Sequence, residues 1–279
     1  MPCAFTCATA RHSLTIRWRK PTETKNNIMQ NYCKTIGALA AASALVAGNA
    51  SAEVEYSLST GYSTMYLWRG QDLGDDLIEV GANVKGEWNG IGLSAGAWYA
   101  SFDQGTGVPA PFNSANCNEL DLYAEVSKDL GFLKASVGYI YYAYPQGNAN
   151  NILIDQIDSQ EVYFGISRDF GFVTASYTYF WGIQGADNNG YSELALSRSF
   201  EINQCVTLNL STNLGYLFEQ GQCTAWTTKA SIDWAFAEHA KLSPFVAYAV
   251  ALSEEYGATS VNNDTSNEIV AGSMLSVSF

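Results

Sequence analysis

Residues 54–69 read Val-Glu-Tyr-Ser-Leu-Ser-Thr-Gly-Tyr-Ser-Thr-Met-Tyr-Leu-Trp-Arg, and their spacing decides the fold class. Val54, Tyr56, Leu58, Thr60, Tyr62, Thr64, Tyr66 and Trp68 alternate with Glu55, Ser57, Ser59, Gly61, Ser63, Met65, Leu67 and Arg69. One set is aromatic and apolar, the other mostly small or polar. A period of two is that of a strand with one face against an apolar medium. The same alternation recurs near 77–88, 91–102, 119–128, 132–144, 160–168, 172–183, 191–200, 205–218, 224–236, 240–252 and 267–279. About twelve strands are predicted, and no segment carries a helical period.

The connections alternate in length. Short ones are Asn89-Gly90, a hairpin dipeptide, then 128–131, 168–171, 201–204 and 237–240. Long polar ones are 69–76, 103–118, 145–159, 184–190, 219–223 and 253–266. A soluble sandwich has no reason to place its long loops on every second connection. A transmembrane barrel does, with short periplasmic turns and longer extracellular loops. In hydrocarbon every backbone N–H and C=O must be paired within the protein, so strands cross only as a closed barrel. Val173, Ala175, Tyr177, Tyr179 and Trp181 are predicted to face lipid, and Thr174, Ser176 and Thr178 the lumen. A weak repeat at a spacing of 40 aligns Asp121–Phe132 with Glu161–Phe172, as expected of repeated hairpins in one sheet.

Composition agrees with this reading. Of 279 residues, 17 are Tyr, 13 Phe and 7 Trp, and Gly numbers 24. Only 15% are charged, against about 25% in a typical soluble domain. A lipid-facing surface with aromatic girdles accounts for both figures. The chain is too aromatic for disorder. With 27 acidic and 14 basic residues, it is too acidic for nucleic acid as a partner.

The N-terminal segment reads as an address. From Met29, Lys34 supplies a basic region, Ile36 to Gly48 an apolar run, and Ala50-Ser51-Ala52 a small-residue cleavage site. Three parts are expected: residues 1–28 as an extension upstream of the true start, 29–52 as a signal peptide, and 53–279 as the barrel. Removing 1–52 leaves 8 basic and 26 acidic residues, a net charge of −18. It also leaves Cys117, Cys205 and Cys223, an odd count that argues against a dense disulfide framework. Cys117 and Cys223 fall in expected extracellular loops and are placed to bridge the mouth, whereas Cys205 lies at the opposite rim.

At the other end, Leu275, Val277 and Phe279 share one face and the last residue is aromatic. This resembles the terminal strand by which outer-membrane barrels are recognised for insertion. It implies the barrel-assembly machinery and outer-membrane lipids as partners. The stretch Gly61-Tyr-Ser-Thr-Met-Tyr-Leu-Trp-Arg-Gly70 resembles the opening strand of the TorF-type porins, also called the Gcw_chp family. Gly92-Leu-Ser-Ala-Gly-Ala-Trp-Tyr-Ala-Ser101 and Glu119-Leu-Asp-Leu-Tyr123 fit further parts of that pattern. The likeness is clear over about 54–132 and diffuse beyond. It implies a bacterial outer-membrane barrel with a channel role, names no solute and supplies no catalytic residue.

Strand parity places ionisable residues on the lumen face. Glu79, Asp121, Glu161, Glu193 and Glu268 each lie near the start of a descending strand and are expected to ring the extracellular half. Arg69 ends the first strand on the same face, placed to pair with Glu79 or Glu268. Lower down come Glu55, Lys85, Glu87, Glu125, Lys134, Lys229 and Asp233, while Trp98, Phe180 and Tyr142 point inward and fill part of the interior. Charged rings set selectivity, so one reading is a passive channel for small solutes or ions with a cation-favouring lumen. The other is a structural network in which Lys and Arg bridge the acids, giving a non-conducting barrel with a structural or surface-interaction role.

No enzymatic activity is expected. After residue 52 the chain has a single histidine, His239, in an expected periplasmic turn, where it cannot serve a Ser-His site on outer-leaflet lipid. The Asp72–Asp76 cluster does not match a calcium loop, no Cys/His cluster suggests zinc, and no glycine-rich strand–helix motif suggests a nucleotide. Neither a metal nor a cofactor is predicted.

Overall fold

The computed structural model describes residues 54–103, 117–144, 158–184, 190–253 and 267–279. The predicted signal peptide and upstream extension lie outside them, as do most of the longer predicted loops. The described residues form twelve antiparallel strands. They are β1 (Glu55–Trp68), β2 (Gln71–Trp88), β3 (Ile91–Asp103), β4 (Cys117–Asp129), β5 (Lys134–Ala143) and β6 (Ser159–Asp169). After these come β7 (Thr174–Gln184), β8 (Tyr191–Asn203), β9 (Val206–Leu217), β10 (Gln222–Ala237), β11 (Ala240–Ala251) and β12 (Glu268–Ser278). Each strand pairs with its neighbours in sequence and β1 closes on β12, so the fold is an all-β, up-and-down closed barrel. At the seam, Tyr56 and Phe279 exchange backbone hydrogen bonds of 2.9 and 3.0 Å and stack their rings.

The wall is one residue thick, so alternate side chains separate into two environments. Large apolar groups stand outside: Val80 on β2, Phe164 on β6, Leu194 on β8 and Val246 on β11 are all exposed. Aromatics collect at both rims of this face, with Trp88, Phe132, Phe170 and Trp234 at one end and Tyr99, Trp181, Phe218 and Trp226 at the other. That distribution suits a hydrocarbon belt between two interfaces.

The 40-residue repeat has a structural meaning on the inner face. Tyr123 on β4 lies over Gly96 on β3, and Tyr163 on β6, its counterpart in the repeat, lies over Gly138 on β5. Each ring occupies the space a Cβ on its glycine would need, which is how a sheet uses an aromatic residue to cover a bare backbone. The turns repeat too: Asp129 and Asp169 each accept a 2.7 Å hydrogen bond from the amide of Gly131 or Gly171. Gly138→Val is expected to displace the Tyr163 ring and to lower stability by about 1–3 kcal/mol. Urea unfolding in lipid vesicles checks this; an unchanged midpoint would mean the ring relocates without penalty.

The structure departs from the sequence expectation at the first hairpin. Residues 69–76 are not a long loop. β2 begins at Gln71, Trp68 pairs with Gln71, and Arg69-Gly70 forms a two-residue turn with φ of 53° and 85°. Positive φ at both central positions matches the right-handed twist of a hairpin. Arginine is a poor residue for it, which is why the sequence does not announce the turn. Irregularities in strand register lie between Met65 and Leu67 and between Asp75 and Ile78. The first inverts the alternation of β1. Tyr66 and Trp68, expected on the lipid face, therefore turn inward. Tyr66, Leu77, Ala100 and Phe102 form a buried cluster, with Trp68, Leu73 and Trp98 packed around it.

The predicted bridge across the mouth is not made by Cys223, whose thiol is free, as is that of Cys205. The side chain of Cys117 lies outside the described residues. Its backbone pairs with Phe102 on β3, whereas β10 carries Cys223 six strands away from β4.

Candidate functional site, a crossing of the lumen

Above Ser63 the ladder between β1 and β12 ends, although β12 continues to Glu268 beside β11. The tip of the β1–β2 hairpin leaves the wall there and reaches the far side of the barrel. Arg69 Nη1 and Nη2 donate to Glu161 Oε1 and Oε2 on β6 at 2.9 and 2.7 Å. The Arg69 guanidinium carbon lies 4.4 to 4.5 Å from the ring centroids of Trp68, Phe180 on β7 and Tyr191 on β8. Gly70 abuts Ala225 on β10 so closely that a Cβ would overlap the Ala225 side chain. Tyr142 on β5 donates to Glu161 Oε2 at 2.9 Å, completing the acceptor side.

Both charged side chains are nearly excluded from solvent, at 8% for Arg69 and 7% for Glu161. A planar guanidinium suits this place because it makes two parallel hydrogen bonds and stacks on aromatic faces at once. Burial opposes the charge of Arg69, but hydrogen bonding to Glu161 and its negative charge outweigh it, so the group holds its proton more tightly than a free arginine. The expected partners Glu79 and Glu268 are not the ones used. The bulge and tight turn carry Arg69 across the lumen instead of leaving it at the wall.

Beneath the hairpin, Glu119 on β4 is 2% exposed and lies against Tyr66 and Asp121. Glu119 Oε2 and Asp121 Oδ1 are buried with no hydrogen-bond partner. Burial and the negative charges of Glu119 and Asp121 push the phenol of nearby Tyr144 well up. No group of three or more metal-ligating side chains occurs among the described residues.

The other candidate lumen residues occupy inward positions in separate settings. Glu79 accepts from the Trp98 indole at 2.6 Å, Glu125 from Tyr163 at 3.0 Å, and Glu193 from Asn213 at 2.6 Å. Lys229 lies over the Phe245 ring, 4.0 Å from its centroid, and Asp233 pairs with Lys241 at 2.8 Å. Glu268 is half-buried at the start of β12, opposite Ala249. Lys134 and Glu125 join Glu55, Lys85, Glu87 and Ser94 around a vestibule of about 600 Å³ at the other end of the lumen. There the Lys85–Glu55 pair is largely exposed at 3.0 Å, so it is worth at most about 1 kcal/mol. Sequence reasoning missed Tyr66 and Trp68 as interior residues, and a β1 alternation that looks unbroken carried no signal for the bulge.

Residues 47–274 match a family described as "Bacterial protein of unknown function (Gcw_chp)". No curated protein matches the chain in sequence. Among solved structures, an outer membrane channel from Pseudomonas putida F1 is similar at 11% identity and a TM-score of 0.49. It covers 81% of this chain and 95% of its own. KdgM porin is similar at 10% identity and a TM-score of 0.46, over 80% of this chain and 99% of its own. OmpF of Salmonella typhi, in complex with daunomycin, is similar at 8% identity and a TM-score of 0.37, over 82% of this chain and 97% of its own. At such identities the likeness is one of fold.

Proposed function

The chain belongs to the Gcw_chp family, and we propose that it is an outer-membrane channel for passive diffusion of small solutes, with a lumen that favours cations. One observation carries the charge preference. Glu79, Glu125 and Glu193 take their hydrogen bonds from neutral donors, an indole, a phenol and an amide. These contacts position the carboxylates without cancelling their charge. Acidic groups in a narrow, low-dielectric passage attract cations. The lipid-facing belt and the closed backbone support a place in the bacterial outer membrane, reached through a signal peptide at 29–52. Insertion through the assembly machinery is supported by the terminal face of Leu275, Val277 and Phe279, which closes the seam on β1.

Planar-bilayer recording tests this. Stepwise conductance with a cation-selective reversal potential is expected, and Glu79→Gln combined with Glu193→Gln is expected to move the permeability ratio toward one. Anion selectivity in the unaltered protein would overturn the preference. The hairpin across the lumen favours a second reading, a non-conducting barrel with a structural or surface-interaction role. A folded barrel that never conducts would establish that reading in place of the first.

A further inference from the structure

We infer that the β1–β2 hairpin is a built-in plug of the extracellular end of the lumen, and that the Arg69–Glu161 pair latches it and sets the charge of the passage. The inference rests on the channel reading above.

Three independent observations meet at this hairpin. The first is where its backbone goes. The β1–β12 ladder stops at Ser63–Gly272 while β12 and β11 continue past it, so the tip departs from the wall at a defined level. The second is what lies under it. Tyr66 and Leu77 bury themselves on Ala100 and Phe102 of β3, a small apolar core on the inner side of the wall. An open pore has no use for such a core, whereas a plug needs one to hold it against water. The third is where the tip ends. Arg69 meets β6, β7 and β8 on the side of the ring away from β1 and β2, and Gly70 meets β10, three strands from β1.

The contacts at the tip are few and concentrated. They include one bidentate ion pair, the Phe180 and Tyr191 rings against Arg69, the Tyr142 ring against Trp68 and one glycine-on-alanine approach. Removing a single group therefore loosens the tip, while the ladders β2–β3 and β1–β2 remain to hold its base. The charges then separate in opposite senses. Without Arg69, the Glu161 carboxylate loses the cation that balances it. Without the Glu161 charge, Arg69 stands as an uncompensated cation in the lumen.

The experiment compares single-channel recordings of the unaltered protein, Arg69→Ala, Glu161→Gln and Gly70→Ala, each refolded and shown to be a heat-modifiable barrel. Gly70→Ala pushes the tip off Ala225 without touching a charge, so it reports on plugging even where a charge variant fails to fold. A rise in unit conductance of at least about twofold is expected in all three. The reversal potential should shift toward cations in Arg69→Ala, toward anions in Glu161→Gln, and stay unchanged in Gly70→Ala. Conductance and selectivity equal to the unaltered channel in every folded variant would overturn the plug and leave the channel reading standing. Silence in the unaltered protein and in all variants would overturn both. A silent parent with conducting variants would support the plug and overturn the channel reading for the unaltered protein.

Discussion

Phe164→Arg is expected to destabilise the barrel in lipid by about 2–4 kcal/mol, the cost of a cation on the lipid face near the bilayer midplane. Phe164 stands on the outer face of β6, five residues from the start of an eleven-residue strand, and is 49% exposed. In water such a substitution would be close to neutral or helpful. In hydrocarbon the guanidinium has no partner within reach and must snorkel or draw water to itself. Ser94→Arg is the control, since Ser94 lines the vestibule, where a charged side chain meets water. It is expected to change stability by less than about 1 kcal/mol. Urea unfolding in lipid vesicles compares the two. Equal midpoints would refute a transmembrane orientation of the outer face.

Glu161→Ala is expected to cost about 3–5 kcal/mol, because it strands Arg69 as a buried, unpaired cation. The geometry leaves little relief. Both side chains are almost fully buried, and the same carboxylate also accepts the Tyr142 hydroxyl, which loses its acceptor too. Replacing both charges together, as Arg69→Met with Glu161→Leu, is expected to recover most of the loss, since an apolar pair of similar volume often matches a buried ion pair. The double-mutant cycle separates the cost of an orphaned charge from the net worth of the pair. A single variant as stable as the parent would mean that water reaches Arg69 in the folded barrel.

These two substitutions probe the two faces of one wall, and the faces were not equally legible. The outer face is written in local chemistry. Val80, Phe164, Leu194 and Val246 recur at a period of two, and nothing but lipid or a partner surface suits them. The short turns are local as well, since Asn89-Gly90 and the Asp-x-Gly turns at 129 and 169 encode their own geometry. Strand count, order and lumen-facing parity follow from these, because neighbouring hairpins must pair and the seam must close.

The first hairpin obeys a different rule. Alternation from Val54 to Trp68 looks unbroken, and extending it places Tyr66 and Trp68 in the outer girdle. A single bulge beyond Met65 reverses the parity, and nothing local marks it. Its gain is remote: Tyr66 finds Phe102 on β3, and Arg69 finds Glu161, 92 residues away. The pairing of Arg69 with Glu161 in place of Glu79 or Glu268 has the same origin, because it depends on where the tip lands across the ring. The barrel was thus determined by the sequence itself, through side-chain period and turn chemistry acting over a few residues. The crossing of its lumen was decided only in the tertiary structure, where contacts between opposite walls compensate a strained turn and a broken register.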